Sequence, residues 1–189
     1  MYYKVVINPY RGGDDIGYVN NIIEKDYNLD ISKYMYNRLL NYNIDVSLIR
    51  DKDITIDDNT RINMIKYLYG TSDRVIVITN ALTRGKSGVE IVYSVRNDNK
   101  LVKNIAKEID NINIIFNKYY TRRLPIDISL DYNSIIRETN NNISIIIYYG
   151  NVDNNYDINY LINKKYELVD AVIKGLCNYI NRRYVSNNS

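Results

Sequence analysis

Short runs of consecutive apolar residues recur along the chain, and polar or turn-forming residues bound each run. The first run ends at Pro9, which cannot donate a hydrogen bond to a sheet ladder. Uninterrupted runs of this kind, rich in Val and Ile, are typical of strands covered on both faces of a sheet. They predict strands at residues 5–8, 46–49, 74–79, 88–95 and 144–149.

The segments between these runs carry apolar residues at spacings of three and four, such as Ile31 and Met35, which places them on one face of a helix. Residues 117–142 are weakly patterned, apart from a short apolar segment at residues 135–136 and a loop at residues 140–142. The helical spacing predicts helices at residues 24–40, 57–70, 101–112 and 165–180.

Strands that alternate with helices predict an α/β protein with a mostly parallel sheet. We expect a single-domain three-layer sandwich, in which a twisted sheet of about five or six strands has helices on both faces. A length of 189 residues suits one domain with a substantial core. We assign residues 1–185 to this domain and residues 186–189 to a frayed tail.

The composition excludes several kinds of site. The chain has no histidine and one cysteine, Cys177, which rules out an internal disulfide and a multi-cysteine metal site. A net charge of +3 is too small to predict a nucleic-acid groove. No apolar run approaches the roughly 20 residues that span a bilayer, and the N-terminus lacks the pattern of a signal peptide. We therefore expect synthesis in the cytoplasm, and the site of action stays open.

The loop after the first predicted strand is rich in glycine and acidic residues. Its glycines could cradle an anion, but glycines after a strand are more often turn residues. The acidic cluster of Asp14, Asp15, Glu24 and Asp26 could hold Mg²⁺ or Ca²⁺ through its oxygens. A solvated loop followed by the acidic first turn of a helix is the favoured interpretation.

Several motifs, taken in their order and at their spacings, carry a resemblance to a known family. They are Ile7–Gly17, Glu24–Ile31, Leu48–Asp53 with Arg61, Val75–Asn80, Gly88–Glu90, Arg122–Pro125 and Tyr149–Gly150. Together they make the chain resemble the zinc-dependent N-acetylmuramoyl-L-alanine amidases of the amidase type-3 group, which are cell-wall hydrolases. The resemblance covers nearly the whole chain.

In that family two histidines and a glutamate hold zinc, and a second glutamate acts as the general base. The resemblance places the zinc ligands on Arg11, Glu24 and Ala81, and the catalytic glutamate on Tyr148. Arginine offers only hydrogen-bond donors, alanine offers no ligand atom, and tyrosine with an ordinary pKa of about 10 is a poor base at neutral pH. The resemblance therefore implies a degenerate member without the zinc histidines or the catalytic glutamate, and we expect no metal and no cofactor.

One substitution suggests a compensation. If Arg11 lies where a zinc ligand is expected, its guanidinium could meet Glu24 and replace the charge of the metal. We further expect Arg50 and Arg61 to form ion pairs that hold the fold. A groove that still binds a ligand could use tyrosines that stack on sugars and arginines that bind carboxylates or phosphates. The candidate groove residues are Tyr10, Asn80, Arg122, Arg123, Tyr148 and Tyr149.

Three functions remain open at the level of the sequence. The first is an inactive amidase homologue that binds peptidoglycan, or regulates an active cell-wall amidase or another protein. The second is a hydrolase that retains activity through a different site or metal. The third is a structural or assembly subunit, for example of a spore or a phage particle. The oligomeric state is not indicated by any of these patterns.

Overall fold

The structure is a computed structural model that describes residues 2–139 and 141–185. The predicted tail at residues 186–189 and residue 140 of the predicted loop lie outside the described residues. The strands are β1 (Lys4–Pro9), β2 (Asp45–Leu48), β3 (Val75–Thr83), β4 (Val89–Tyr93), β5 (Phe116–Tyr120), β6 (Arg123–Leu124), β7 (Asp127–Asp131) and β8 (Ile143–Asn151).

Six helices accompany these strands within the described residues. They are α1 (Glu24–Leu40), α2 (Asp58–Tyr69), α3 (Lys100–Asp110), α4 (Ser134–Glu138), α5 (Asn155–Asn163) and α6 (Lys165–Tyr179). Helix α2 begins where the sequence predicts, because the carboxylate of Asp57 accepts a hydrogen bond from the backbone N–H of Thr60 and caps the first turn. None of the helices in the described part of the chain is both long and apolar enough to cross a membrane.

Six of the strands form one sheet in the order β2-β1-β3-β8-β4-β5. Strands β2, β1, β3 and β8 are mutually parallel, whereas β4 runs antiparallel to β8 and parallel to β5. The remaining two strands, β6 and β7, form a separate antiparallel hairpin. The expectation of a mostly parallel sheet is confirmed, and the reversed β4 brings its first residues to the edge at which the parallel strands end.

Helices cover both faces of the sheet, as the three-layer prediction requires. On one face α1, α3 and α6 pack a large core, in which Ile31, Met35 and Val172 are fully buried. On the other face α2 and α4 pack a smaller core that includes Ile65 and Ile135. The two cores hold the central strands between them, so that the ends of the strands are presented to solvent at one edge.

Candidate functional site

The carboxyl ends of β1, β3 and β8 meet at one edge of the sheet, where α/β proteins commonly bind ligands. Tyr10 and Arg11 follow β1, and the ladder between β3 and β8 pairs Ala81 with Tyr148. Helix α1 starts beside them with Glu24. The four positions that the resemblance assigns to zinc and to catalysis thus lie close together. Arg11, Glu24 and Tyr148 line a cleft of about 280 Å³, and Ala81 lines a smaller cavity that shares Tyr148 with it.

Arg11 and Glu24 form the ion pair that the sequence predicts. The distance from Arg11 Nε to Glu24 Oε2 is 3.2 Å. The same carboxylate oxygen accepts a hydrogen bond from the backbone N–H of Tyr18 at 3.0 Å, and Oε1 accepts one from the N–H of Leu82 at 3.2 Å. Glu24 is fully buried, so each oxygen of its carboxylate is satisfied by protein donors.

The guanidinium of Arg11 also reaches Asp15, with 3.2 Å between Nη1 and Oδ1. Burial alone lowers the pKa of Arg11, but the carboxylates of Glu24 and Asp15 reverse this effect and raise it above the ordinary value. Arg11 therefore carries its charge at neutral pH. Its backbone has φ of 64°, in the left-handed region that non-glycine residues seldom adopt.

A glycine is required next to this pair. Gly17 has φ of 67°, and a Cβ atom added there would lie 2.3 Å from Glu24 Oε2 and 2.9 Å from Arg11 Cγ. A larger residue would therefore push the two partners apart. The glycines of this loop act as turn residues that allow close packing, in agreement with the favoured sequence interpretation.

The donor set at this site does not fit zinc. Arg11 offers only N–H donors, Ala81 offers no ligand atom, and both oxygens of Glu24 already accept hydrogen bonds. The acidic cluster does not supply an alternative, because Asp15 pairs with Arg11 and Asp14 accepts a hydrogen bond from Thr55. Within the described residues no group of three or more His, Cys, Asp or Glu side chains is arranged to hold a metal ion.

Tyr148 occupies the position expected for a general base. Burial raises its pKa above the ordinary value of 10, so its hydroxyl is protonated at neutral pH and cannot accept a proton readily. Burial and the nearby carboxylate of Asp58 raise the pKa of Tyr10 in the same way. The cleft therefore presents two neutral phenol groups. Tyr148 stands at the position of the family's catalytic glutamate, and Tyr10 lies next to Arg11, the position of its first zinc-binding histidine.

Glu90 is a cleft residue that belongs to one of the sequence motifs but was not predicted to be part of the site. The ladder between β4 and β8 sets it opposite Tyr148. Its carboxylate accepts hydrogen bonds from Asn117 Nδ2 at 2.7 Å and Tyr120 Oη at 3.2 Å, and Lys118 Nζ lies 3.7 Å away. The sequence did contain an indication of this role, because Glu90 is the single charged residue within the apolar run of β4. A charged residue in a buried strand needs polar partners.

Two candidate groove residues, Asn80 and Tyr149, are not in the groove. Both are fully buried, and Tyr149 Oη donates to Asn80 Oδ1 at 3.0 Å while Asn80 Nδ2 donates to Ser32 Oγ at 2.7 Å. Successive residues of a strand point to opposite faces, so the side chain after Tyr148 points towards the α1 layer. This part of the groove prediction was wrong.

The two adjacent arginines of the motif also separate. Arg122 lines the cleft, and its guanidinium lies 3.8 Å from the centre of the Tyr132 ring. Arg123 lies in the β6–β7 hairpin, where Nη1 donates to the carbonyl oxygen of Ile128 at 2.6 Å. Because Arg122 lines the cleft and Arg123 is bonded within the hairpin, only Arg122 remains a candidate for ligand binding.

A family model described as N-acetylmuramoyl-L-alanine amidase (Amidase_3) matches residues 5–178, which is most of the chain. The chain belongs to this amidase family. A search of curated proteins found no match.

Solved structures share the amidase fold. Cwp6 from Clostridium difficile has a TM-score of 0.81 at 24% identity, over 95% of this chain and 29% of that chain. An N-acetylmuramoyl-L-alanine amidase from Clostridium difficile 630 has a TM-score of 0.78 at 22% identity, over 95% and 97% of the two chains. The CwlD amidase of Clostridioides difficile, solved in complex with the GerS lipoprotein, has a TM-score of 0.74 at 19% identity, over 95% and 98%.

In this member of the amidase family, two buried arginines support the loop that carries Arg11. The prediction that they form ion pairs was wrong. Arg50 donates to the carbonyl oxygens of Pro9, Tyr10, Lys25 and Lys52. Burial, followed by the repulsion of Arg61, lowers the pKa of Arg50 to about 10.

Arg61, which belongs to α2, binds the same loop. It donates to the carbonyl oxygens of Ile56, Pro9 and Arg11 and to Asn8 Oδ1. The bond to the carbonyl of Arg11 is 2.7 Å long and holds the left-handed backbone in place. Carbonyl acceptors, rather than carboxylates, thus satisfy both guanidinium groups, because the turn after β1 leaves its carbonyls without strand partners.

Proposed function

We propose that the chain is a catalytically inactive member of the N-acetylmuramoyl-L-alanine amidase family that binds peptidoglycan in the cleft beside Tyr148. The observation that carries the proposal is the ion pair between Arg11 and Glu24. A metal at this position would need Glu24 as a ligand, and that carboxylate is already neutralised by a guanidinium and bonded to two backbone N–H groups.

The proposed loss of amide hydrolysis is supported by the residues at all four of the family's functional positions. A zinc amidase needs ligands that leave one position open for water, and a base that removes a proton from that water. Arg11 and Ala81 cannot act as ligands, and the raised pKa of Tyr148 opposes its use as a base. Glu24 is the one residue of the family's functional set that is kept, and it forms the ion pair with Arg11.

The retained cleft supports binding. Tyr10, Tyr18, Tyr120 and Tyr148 line it, and aromatic side chains of this kind stack on sugar rings. Arg122 adds an exposed guanidinium that has no carboxylate partner among the described residues, and its planar fork suits a carboxylate of a peptide. A glycopeptide that carries sugars and carboxylates matches both features.

The loss of activity is tested by metal analysis and an amide-hydrolysis assay on one preparation. We expect no stoichiometric zinc after incubation with excess zinc and dialysis, and no release of amino groups from purified peptidoglycan. The matched control is the triple variant R11H/A81H/Y148E, which restores the family set. Zinc at one equivalent per chain, together with hydrolysis by the unmodified protein, would establish the alternative of an active amidase.

Binding is tested separately by sedimentation with purified peptidoglycan. We expect the protein to pellet, R122A to reduce the pelleted fraction several-fold, and R123A to leave it unchanged, because Arg123 is bonded within the hairpin. A protein that stays in the supernatant would contradict peptidoglycan binding and would favour a structural or assembly role.

A protein partner is the second candidate. The CwlD amidase was solved with a lipoprotein partner, so an amidase fold can serve as one side of a complex. By analogy, we propose that this chain binds an active amidase and regulates it. Co-purification of an amidase with the chain, unaffected by R122A, would support it.

A further inference from the structure

A second, smaller cavity adjoins the cleft on the face of the sheet that α2 and α4 cover. Its volume is about 60 Å³, which is room for about two water-sized groups. Tyr10, Ala81 and Tyr148 form the side next to the cleft, and Asp58 and Asn133 form the side next to the helices. The short side chain at position 81 contributes to the open space.

Two polar groups of this cavity, Asp58 and Asn133, have hydrogen-bond acceptor atoms with unused capacity. The Oδ1 atom of Asn133 is buried and has no hydrogen-bond partner among the described residues. The carboxylate of Asp58 accepts one hydrogen bond, from Ser134 Oγ at 2.8 Å, and has no ion pair within the described part of the chain. A carboxylate has about four acceptor positions, so most of its capacity is unused.

Arg61 does not use this capacity either. Burial lowers the pKa of Arg61, and the negative charge of Asp58 opposes this effect only in part. The hydrogen bonds of Arg61, however, go to three carbonyl oxygens and to Asn8. Asp57 does not face the cavity as an acceptor, since it caps α2.

We propose that this cavity binds a small primary ammonium group. An ammonium group offers three N–H donors and a positive charge, and the cavity offers the carboxylate of Asp58 and the unpaired oxygen of Asn133. A quaternary ammonium is excluded by size and by its lack of N–H donors. This binding does not depend on peptidoglycan, because Asp58 and Asn133 face the cavity whether or not the cleft is occupied.

The test is a titration of the full chain with methylammonium chloride, followed by two-dimensional NMR of the backbone amides, with potassium chloride at equal ionic strength as the reference. We expect saturable shifts around residues 58, 81 and 133. D58N should weaken binding about tenfold, because it removes the charge that the ammonium meets. D51N changes the charge equally at an exposed site away from the cavity and should leave binding unchanged.

A second variant keeps the test independent of charge. A81L fills the cavity from the strand side and should abolish saturable shifts, and its circular dichroism spectrum shows whether it is folded. Tetramethylammonium should give no saturable shifts with the unmodified protein. Equal binding of methylammonium by D58N and D51N, or shifts that grow linearly without saturation, would overturn the proposal.

Discussion

The ion pair between Arg11 and Glu24 makes a quantitative prediction about stability. Replacing Arg11 with methionine keeps much of the aliphatic stem and removes the charge, so that a fully buried carboxylate loses its cation. The side chain of Glu24 is 0% exposed and that of Arg11 is 27% exposed, which makes the pair largely but not fully shielded from water.

The expected loss follows from this burial. Removing one partner of a fully buried ion pair costs about 3–5 kcal/mol, whereas a single hydrogen bond to a charged group contributes about 1.5–3 kcal/mol. Glu24 keeps two backbone N–H donors, and the exposed quarter of Arg11 weakens the interaction further. We therefore expect R11M to lower the free energy of unfolding by about 2 kcal/mol, which corresponds to about 4–8 °C in the melting temperature of a chain this size.

The assay is urea unfolding followed by circular dichroism and by tyrosine fluorescence, since the chain has 21 tyrosines and no tryptophan. E24Q and the double variant R11M/E24Q complete a thermodynamic cycle. The cycle should give a coupling energy of about 2 kcal/mol, because in E24Q the buried charge that needs a partner is absent. R11G separates out the backbone effect, since glycine accepts the left-handed conformation. A coupling energy below about 0.5 kcal/mol would refute the claim that the pair stabilises this site.

Two further predictions concern the support of the fold. R61K should lower the free energy of unfolding by about 3 kcal/mol, because one ammonium cannot serve the four oxygen acceptors that Arg61 binds, and R96K is the exposed control. Burial is the main cause that raises the pKa values of Tyr34, Tyr69 and Tyr120 to about 12. These tyrosines ionise near pH 10 when unfolded, so their contribution to stability is complete below pH 10 and is lost as the pH rises from 10 through 12. Urea midpoints from pH 8 to 11 measure this loss, and a flat profile above pH 10 would contradict it.

The strongly patterned parts of the fold were predictable from the sequence. Helix α1 matches its predicted bounds, and every predicted strand is present, because long periodic segments and uninterrupted apolar runs have few alternative structures. Strand β5 was not predicted because it lies at the edge of the sheet and none of its residues is fully covered. Helix α5 was not predicted because its sequence is rich in Asn, and its start depends on a cap by Asn154.

The candidate site was predictable only in part. Motif spacing located Arg11 and Glu24, and their opposite charges were enough to predict that they pair. The direction of individual side chains was not predictable where two adjacent residues of the same type occur, as in Tyr148 and Tyr149. Which of the two points into the cleft depends on the register of β8 against β3, a long-range property that local sequence does not determine.

The same contacts explain how this fold can keep its site loop without a metal. The backbone after β1 is held by Arg50 and Arg61, whose hydrogen bonds go to the carbonyl oxygens of Pro9, Tyr10 and Arg11 and do not involve the side chain at position 11. A change at position 11 therefore alters the charge that faces Glu24 while the loop keeps its supports. With arginine at position 11, the carboxylate of Glu24 is paired and the cleft stays open. The proposed loss of catalysis is therefore compatible with a cleft that keeps its structural basis for binding.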